Sequence, residues 1–102
     1  MGQEVTISPS RMDLGKIDNK PRKFWFEVRN NHHATLDLAA WASCGCTTPI
    51  VVPSRVEPGQ TAQLRVEFDP TGKSGLQEKG VGVTYVIEGH QKNTGATFVA
   101  NI

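Results

Sequence analysis

Hydrophobic and polar residues alternate along most of the chain, and prolines and glycines interrupt the alternation at short intervals. A period of two residues is typical of strands that bury one face. The two clearest runs place apolar side chains on a single face, first at Phe24, Phe26 and Val28, and later at Ala62, Leu64, Val66 and Phe68. These runs predict two strands whose apolar faces belong to the core.

Five weaker runs complete the pattern. They are Val5 to Leu14 with an interruption at Pro9, Thr35 to Ser43, Ile50 to Val52, Val81 to Ile87 after the weakening Gly80 and Gly82, and Ala96 to Ile102 after a polar connection from Gly89 to Gly95. The second of these runs could also form a helix, but a helix of about seven to nine residues is marginal, so a strand is predicted. It would need a bulge near Ala39-Ala40 if Trp41 faces inward.

Seven short strands within 102 residues predict an all-β fold, an immunoglobulin-like seven-stranded antiparallel β-sandwich. The whole chain, residues 1–102, is expected to form this single domain, with residues 1–3 either disordered or left over from cloning. A domain of this size can bury a core without a metal or a disulfide framework.

The charge of the chain is nearly balanced, with 11 Lys and Arg against 10 Asp and Glu. We therefore expect no nucleic-acid partner and no attraction to an anionic membrane. No apolar run reaches the roughly 20 residues of a transmembrane helix. Met1 to Val5 lacks the pattern of an export signal, although a signal could have preceded a cloning remnant. Two cysteines do not fix the redox compartment.

Both cysteines lie in the segment Ser43-Cys44-Gly45-Cys46-Thr47. In an extended strand the Cα atoms of Cys44 and Cys46 would be about 6.5 to 7 Å apart, at the upper limit for a disulfide, so closure requires a bend at Gly45. Reduced thiolates could instead hold Cu(I) or Zn(II), which makes both residues candidate metal ligands. The simplest interpretation is that both pack as inert thiols.

The three histidines fall in two polar connections, His32 and His33 in one and His90 in the other. Because successive loops of a sandwich alternate between its ends, these connections should share one end, with the cysteines at the other, roughly 25 to 30 Å away. A three-histidine binding site is geometrically allowed. A catalytic Cys–His pair is not.

The chain shows no other catalytic pattern, and we predict that it is not an enzyme and needs no cofactor. It has no Gly-x-Ser-x-Gly elbow, and Glu67 and Asp69 are expected to be solvated charges. Trp25 falls on the outer face of its strand and is a candidate binding residue for a protein or a sugar. Coverage by a neighbouring segment or a second domain is the more ordinary explanation.

The motif Cys44-Gly45-Cys46-Thr47 and its surroundings resemble a family of exported bacterial immunoglobulin-like domains of unknown function. That family is distantly similar to Hydin-type and major-sperm-protein domains. The resemblance covers about residues 12–102, through Leu14-Gly15, Phe24-Trp25-Phe26, Asn30-Asn31, Leu36-Asp37-Leu38, Cys44 to Thr47, Pro58-Gly59, Phe68-Asp69 and Gly75. The chain departs from the family at Tyr85 to Glu88, where a small polar Asn is usual, and this affects the expected final hairpin.

The resemblance implies a non-catalytic module outside the cytoplasm, in the periplasm or at the cell surface. We therefore predict an interaction or structural module of an exported bacterial protein, monomeric in isolation, whose partner is a protein, a neighbouring domain or a glycan. The alternative hypothesis is a thiol-based metal-binding or redox protein that uses Cys44 and Cys46. A third hypothesis is an edge strand that accepts a strand from a partner.

Overall fold

The computed structural model describes residues 4–102, and this part of the chain forms strands, turns and loops without a helix. Its strands are β1 (Val5–Ser8), β2 (Arg11–Lys16), β3 (Arg22–Asn30), β4 (Leu36–Asp37), β5 (Ala39–Ala42), β6 (Thr47–Val52), β7 (Arg55–Val56), β8 (Thr61–Phe68), β9 (Leu76–Ile87) and β10 (His90–Asn101). The predicted all-β fold is confirmed. The expectation for residues 1–3 lies outside the described residues.

Two four-stranded sheets form the sandwich. The first sheet has the order β1-β3-β8-β6, and the second has the order β2-β10-β9-β5. All neighbouring strands are antiparallel except β2 and β10, which are parallel. Strands β4 and β7 form a separate two-stranded ladder. The chain thus folds into an immunoglobulin-like sandwich with one parallel pairing that the sequence did not predict.

The core lies between the two sheets and is built from the predicted alternation. Phe26 and Val28 of β3 are buried, and so are all four apolar positions of β8. The ring of Phe98 on β10 meets the rings of Phe24 and Phe68 edge to face, with centroid distances of 4.9 Å and 5.3 Å. Burial of each such side chain stabilises the fold by about 1.5 to 3 kcal/mol, which places most of the stability between the sheets.

Two of the seven predicted strands are each divided into two shorter strands. Pro9 separates β1, in the first sheet, from β2, in the second, and Leu38 separates β4 from β5. Strand β5 pairs with β9 in unbroken register, so the bulge expected if Trp41 faced inward is absent. Ala40 and Ala42 pack against the core instead, and the alternation directs Trp41 to the outer face of the second sheet.

The final hairpin is tighter than the sequence predicted. Glu88 and Gly89 both have positive φ angles, 52° and 78°, as the two central residues of a type I′ turn require. Strand β10 therefore begins at His90, which pairs with Ile87, and not at Ala96. The predicted polar connection from Gly89 to Gly95 is wrong, because all but its first residue belongs to the strand.

Candidate functional site

The outer face of the first sheet carries three exposed apolar side chains. Trp25 on β3 is 53% exposed, and Ile50 and Val52 on β6 are 57% and 37% exposed. Arg65 on β8, between these strands, lies opposite both Trp25 and Ile50. We call the surface formed by Trp25, Ile50, Val52 and Arg65 the Trp25 face.

A shallow groove of about 380 Å³ crosses the Trp25 face. Its margin includes Lys23 and Glu67, which lie opposite each other on β3 and β8, so that the charges along this margin balance. Exposed apolar surface with a polar rim marks interaction sites in proteins. The groove is therefore suited to bind an apolar surface of a partner and not a strongly charged one.

The free edge of β6 is poorly suited to accept a strand from a partner. The backbone N–H of Asp69 donates to the carbonyl of Cys46 over 2.9 Å. Hydrogen-bonded and non-hydrogen-bonded residue pairs alternate along an antiparallel ladder. Because Cys46 and Asp69 are a hydrogen-bonded pair, Pro49 and Val66 are a non-hydrogen-bonded pair, and the nitrogen of Pro49 points towards the free edge. Proline has no N–H, and the N–H of Thr47 is already donated to the carbonyl of Cys44. The face of this sheet is thus a better candidate than its β6 edge.

Cys44 and Cys46 are joined by a disulfide in the loop between β5 and β6. Their Cα atoms are 5.2 Å apart, and the N–H of Thr47 donates to the carbonyl of Cys44 over 3.1 Å, so the expected bend at Gly45 is present. No cysteine in residues 4–102 is free. The structure therefore shows the oxidised form among the alternatives, and metal binding by these thiolates would require reduction first.

A polar cleft opens beside Cys46. Its lining consists of Gly45, Cys46, Thr48, Glu67, Asp69, Thr71 and Lys73. The hydroxyl of Thr71 donates to Oδ1 of Asp69 over 2.6 Å, and the Thr71 N–H donates to the same oxygen over 3.0 Å. The hydroxyl bond, followed by the backbone bond, lowers the pKa of Asp69 below its usual value, since both favour the charged form. Asp69 is thus a fixed negative charge in the cleft.

The histidines and cysteines lie at opposite ends of the sandwich, as predicted. The disulfide lies at the Arg22 end of β3. Arg22 is opposite Phe68 on β8, and Phe68 is in turn opposite Thr47, which follows Cys46. At the other end, Asn30 accepts a hydrogen bond from the N–H of His32 at Oδ1 over 2.8 Å. The nine residues of β3 separate these ends by roughly 26 to 30 Å.

The structure brings two of the three histidines together. The ring centroids of His32 and His33 are 4.1 Å apart, whereas His90 is exposed at the start of β10. In residues 4–102, no group of three or more His, Cys, Asp and Glu side chains is placed to hold a metal ion. The three-histidine arrangement is therefore not assembled in this structure, and a binding role for these histidines remains a prediction.

We expect removal of the disulfide to change stability only modestly. The loop that it closes has a single residue between the cysteines, and chain entropy for so short a loop corresponds to about 1.6 kcal/mol. The loop is also held by the bond from Asp69 N–H to the Cys46 carbonyl. The double variant Cys44→Ser/Cys46→Ser should lose about 1 to 2 kcal/mol in urea unfolding. A loss above about 4 kcal/mol would show that the disulfide is essential to the fold.

The strands and their order define an immunoglobulin-like β-sandwich domain. The family model of DUF1573, described as a protein of unknown function, matches residues 5–102, and the chain belongs to that family. A search of curated proteins found no significant match. The described residues contain no helix long and apolar enough to cross a membrane.

Solved structures with low sequence identity share this fold. A protein of unknown function from Porphyromonas gingivalis superposes with a TM-score of 0.80 at 18% identity, over 96% of this chain and 46% of that chain. The PapD-like domain 7 of human CEP192 has a TM-score of 0.72 at 10% identity, over 96% and 84% of the two chains. The CupB2 chaperone of Pseudomonas aeruginosa has a TM-score of 0.71 at 16% identity, over 94% and 55%. The chain thus spans about half the length of two of these three proteins.

The sequence located part of this site. Alternation along β3 predicted that Trp25 faces outward, and the structure places it there. Ile50 and Val52 were missed because Ile50 to Val52 is a continuous apolar run, which gives no direction for its side chains. Pro49 indicated an edge strand, but an edge position does not show which side chains of the strand face outward, so the sequence held no signal for Ile50 and Val52.

Proposed function

We propose that this chain is a non-catalytic interaction module of an exported bacterial protein, and that its Trp25 face binds a folded protein domain. The observation that carries the proposal is the exposure of Trp25, Ile50 and Val52 on β3 and β6, the two strands that flank β8 in one sheet. The fold shared with a chaperone and with a PapD-like domain supports a binding role. The disulfide supports an oxidising compartment, the periplasm or the cell surface.

A protein surface fits the Trp25 face better than a glycan does. Ile50 and Val52 add aliphatic area beside the indole, whereas a sugar needs several polar groups that converge on its hydroxyls. The nearest such group, the guanidinium of Arg65, donates through Nε to Oε1 of Gln63 over 2.9 Å. Two similar structures are also about twice as long as this chain, which leaves room for a neighbouring domain as the partner.

Site-specific photo-crosslinking of the full-length protein in its own cells tests this proposal. A photoreactive residue at Ile50 is expected to form one discrete, saturable adduct. Val86 is the matched control, because it is 58% exposed on the outer face of the other sheet. Trp25→Ala should reduce the Ile50 adduct about 30-fold, since a buried interface Trp contributes about 2 kcal/mol or more.

Two outcomes would contradict this docking site. One is equal crosslinking from Ile50 and from Val86, which would indicate random collisions. The other is an Ile50 adduct that is unchanged in Trp25→Ala while a urea titration shows the variant to be folded. Because Trp25 is exposed on a strand surface, its replacement should change the free energy of unfolding by less than about 1 kcal/mol.

A further inference from the structure

We propose that Cys44 and Cys46 form a thiol–disulfide exchange site that reacts with dithiols at the sulfur of Cys46. The site lies at the end of the sandwich next to the polar cleft, which adjoins the groove of the Trp25 face at Thr48 and Glu67. Its reaction partner is a dithiol, either two cysteines of a reducing protein or a small dithiol. The proposal concerns chemistry that the docking role of the Trp25 face does not require.

The cleft lies beside one of the two cysteines and not the other. Cys46 belongs to the lining of the cleft, whereas Cys44 does not. Gly45, between the two cysteines, also lines the cleft, and a Cβ atom there would meet no atom within 4 Å, so the space beside it is open. An incoming thiolate in the cleft is therefore next to Cys46, whose side chain is partly buried against the core, and not next to Cys44.

The backbone prepares Cys44 to be the leaving group. The N–H of Cys46 donates to Sγ of Cys44 over 3.2 Å. A hydrogen-bond donor at a sulfur favours its thiolate form, and a thiol that is more stable as a thiolate leaves faster in exchange. This N–H is thus placed to stabilise the negative charge that develops on Sγ of Cys44 when the disulfide opens, whereas Sγ of Cys46 has only a longer contact, 3.5 Å, with the Thr47 hydroxyl.

The exchange is balanced as a two-electron transfer. The thiolate of the dithiol attacks Sγ of Cys46, the bond between the two protein sulfurs breaks, and its electron pair goes to Sγ of Cys44. The second thiol of the dithiol loses its proton, attacks the sulfur bound to Cys46 and releases the Cys46 thiolate. The dithiol ends as a disulfide, and Cys44 and Cys46 end as thiols that carry the two protons it has lost.

The fold allows this cycle without unfolding. The loop is fixed on one side by the bonds between Ser43 and Gly80, from Ser43 N–H to the Gly80 carbonyl and from Gly80 N–H to the Ser43 hydroxyl, both 2.9 Å. On the other side it is fixed by the bond from Asp69 N–H to the Cys46 carbonyl. None of these bonds involves sulfur, so the loop should keep its position when the disulfide opens.

The first experiment locates the attacked sulfur. The oxidised protein is treated with a limiting amount of glutathione, quenched in acid and fragmented in a mass spectrometer, so that the adduct is assigned to one cysteine. We expect at least a tenfold excess of the adduct on Cys46 over Cys44. An equal distribution, or an excess on Cys44, would overturn the proposal.

The second experiment separates an exchange site from an inert structural disulfide. The rate of reduction by dithiothreitol is measured in increasing urea below the unfolding transition. An exchange site reacts in the folded protein, so the rate should stay constant within about twofold. A rate that rises in proportion to the unfolded fraction would show that only the unfolded chain reacts, and would overturn the proposal.

A blocked cleft provides a matched comparison. Thr48 is exposed on β6 in the lining of the cleft, and Thr48→Trp should slow reduction at least tenfold while the urea midpoint changes little. His90→Trp places the same bulk at the other end of the sandwich and should leave the rate unchanged. Equal rates in both variants would contradict entry through the cleft.

Discussion

Replacement of Gly82 by alanine should destabilise the protein by about 3 kcal/mol or more, which is a large part of the stability of a domain this size. A Cβ atom at Gly82 would overlap the carbonyl oxygen of Thr94 and would lie 2.6 Å and 2.7 Å from Cζ2 and Cε2 of Trp41. Neither obstacle is the flexible end of a side chain. The substitution must therefore displace both the indole and strand β10.

Two other glycines are matched controls for this result. At Gly80 an added Cβ would come no closer than 3.7 Å to the side chains of Ser43 and Trp41, which is ordinary van der Waals contact, and at Gly45 it would meet no atom within 4 Å. Gly80→Ala and Gly45→Ala should change the free energy of unfolding by less than about 1 kcal/mol. If Gly82→Ala also changed the free energy of unfolding by less than about 1 kcal/mol in urea titrations, Trp41 would not pack against Gly82 on the second sheet.

A double-mutant cycle checks that the indole itself is the obstacle. At Gly95 an added Cβ would lie 2.9 Å and 3.0 Å from Cζ2 and Cη2 of Trp41. Gly95→Ala should therefore be less harmful when it is combined with Trp41→Leu than in the native background. We expect a coupling free energy of about 1 kcal/mol or more between the two positions, as is found for residues in direct contact.

These glycines show where local sequence patterns stop being informative. Gly80 and Gly82 predicted a weak start to a strand, because glycine lacks a side chain to pack and has more conformational freedom to lose. In the structure they lie inside β9, and Gly82 makes room for an indole that comes from β5, about 40 positions earlier in the chain. The pairing of β5 with β9 is not encoded in either run alone, so the sequence predicted the strand but not the role of its glycines.

The same reasoning explains what was predictable at the candidate site. Alternation is a local property, so the core faces of β3 and β8 and the outward direction of Trp25 could be derived from a few residues each. The Trp25 face depends on β3, β8 and β6 being neighbours, which is a property of the topology. The spacing of Cys44 and Cys46 allowed a disulfide, a metal site or free thiols, because the spacing of two cysteines does not determine their oxidation state.

Asn30 is a second feature whose role required the structure. In the sequence Asn30 begins a polar run with Asn31, His32 and His33, but in the structure it is 1% exposed at the end of β3. Its Nδ2 donates to the carbonyls of Ala34 and Val56 over 3.0 Å and 2.9 Å, while its Oδ1 accepts from His32 N–H. One buried amide thus connects β3, the loop that follows it and β7.

Asn30→Asp is therefore expected to destabilise the protein by about 3 to 5 kcal/mol at pH 7, the range for a buried charge without a partner. The shape of the side chain is unchanged, and the oxygen that accepts from His32 is retained. The two N–H donors are lost, however, and a carboxylate oxygen would face the carbonyls of Ala34 and Val56. Asn31→Asp is the matched control, because Asn31 is exposed, and it should change stability by less than about 1 kcal/mol.

The loss in Asn30→Asp should depend on pH in a defined direction. Burial and the two facing carbonyls disfavour the carboxylate, so the pKa of this carboxyl in the folded variant is raised above its unfolded value of about 3.9. The protonated carboxyl can donate to one of the carbonyls. Relative to the native protein, the variant is therefore most stable below a pH of about 3.9, and it loses stability as the pH rises through the pKa of the folded state. Urea titrations of both proteins at about pH 4 and pH 7 measure this difference. Only a buried charge makes the destabilisation larger at pH 7 than at about pH 4. An equal destabilisation at the two pH values would therefore show that residue 30 is not held against these carbonyls.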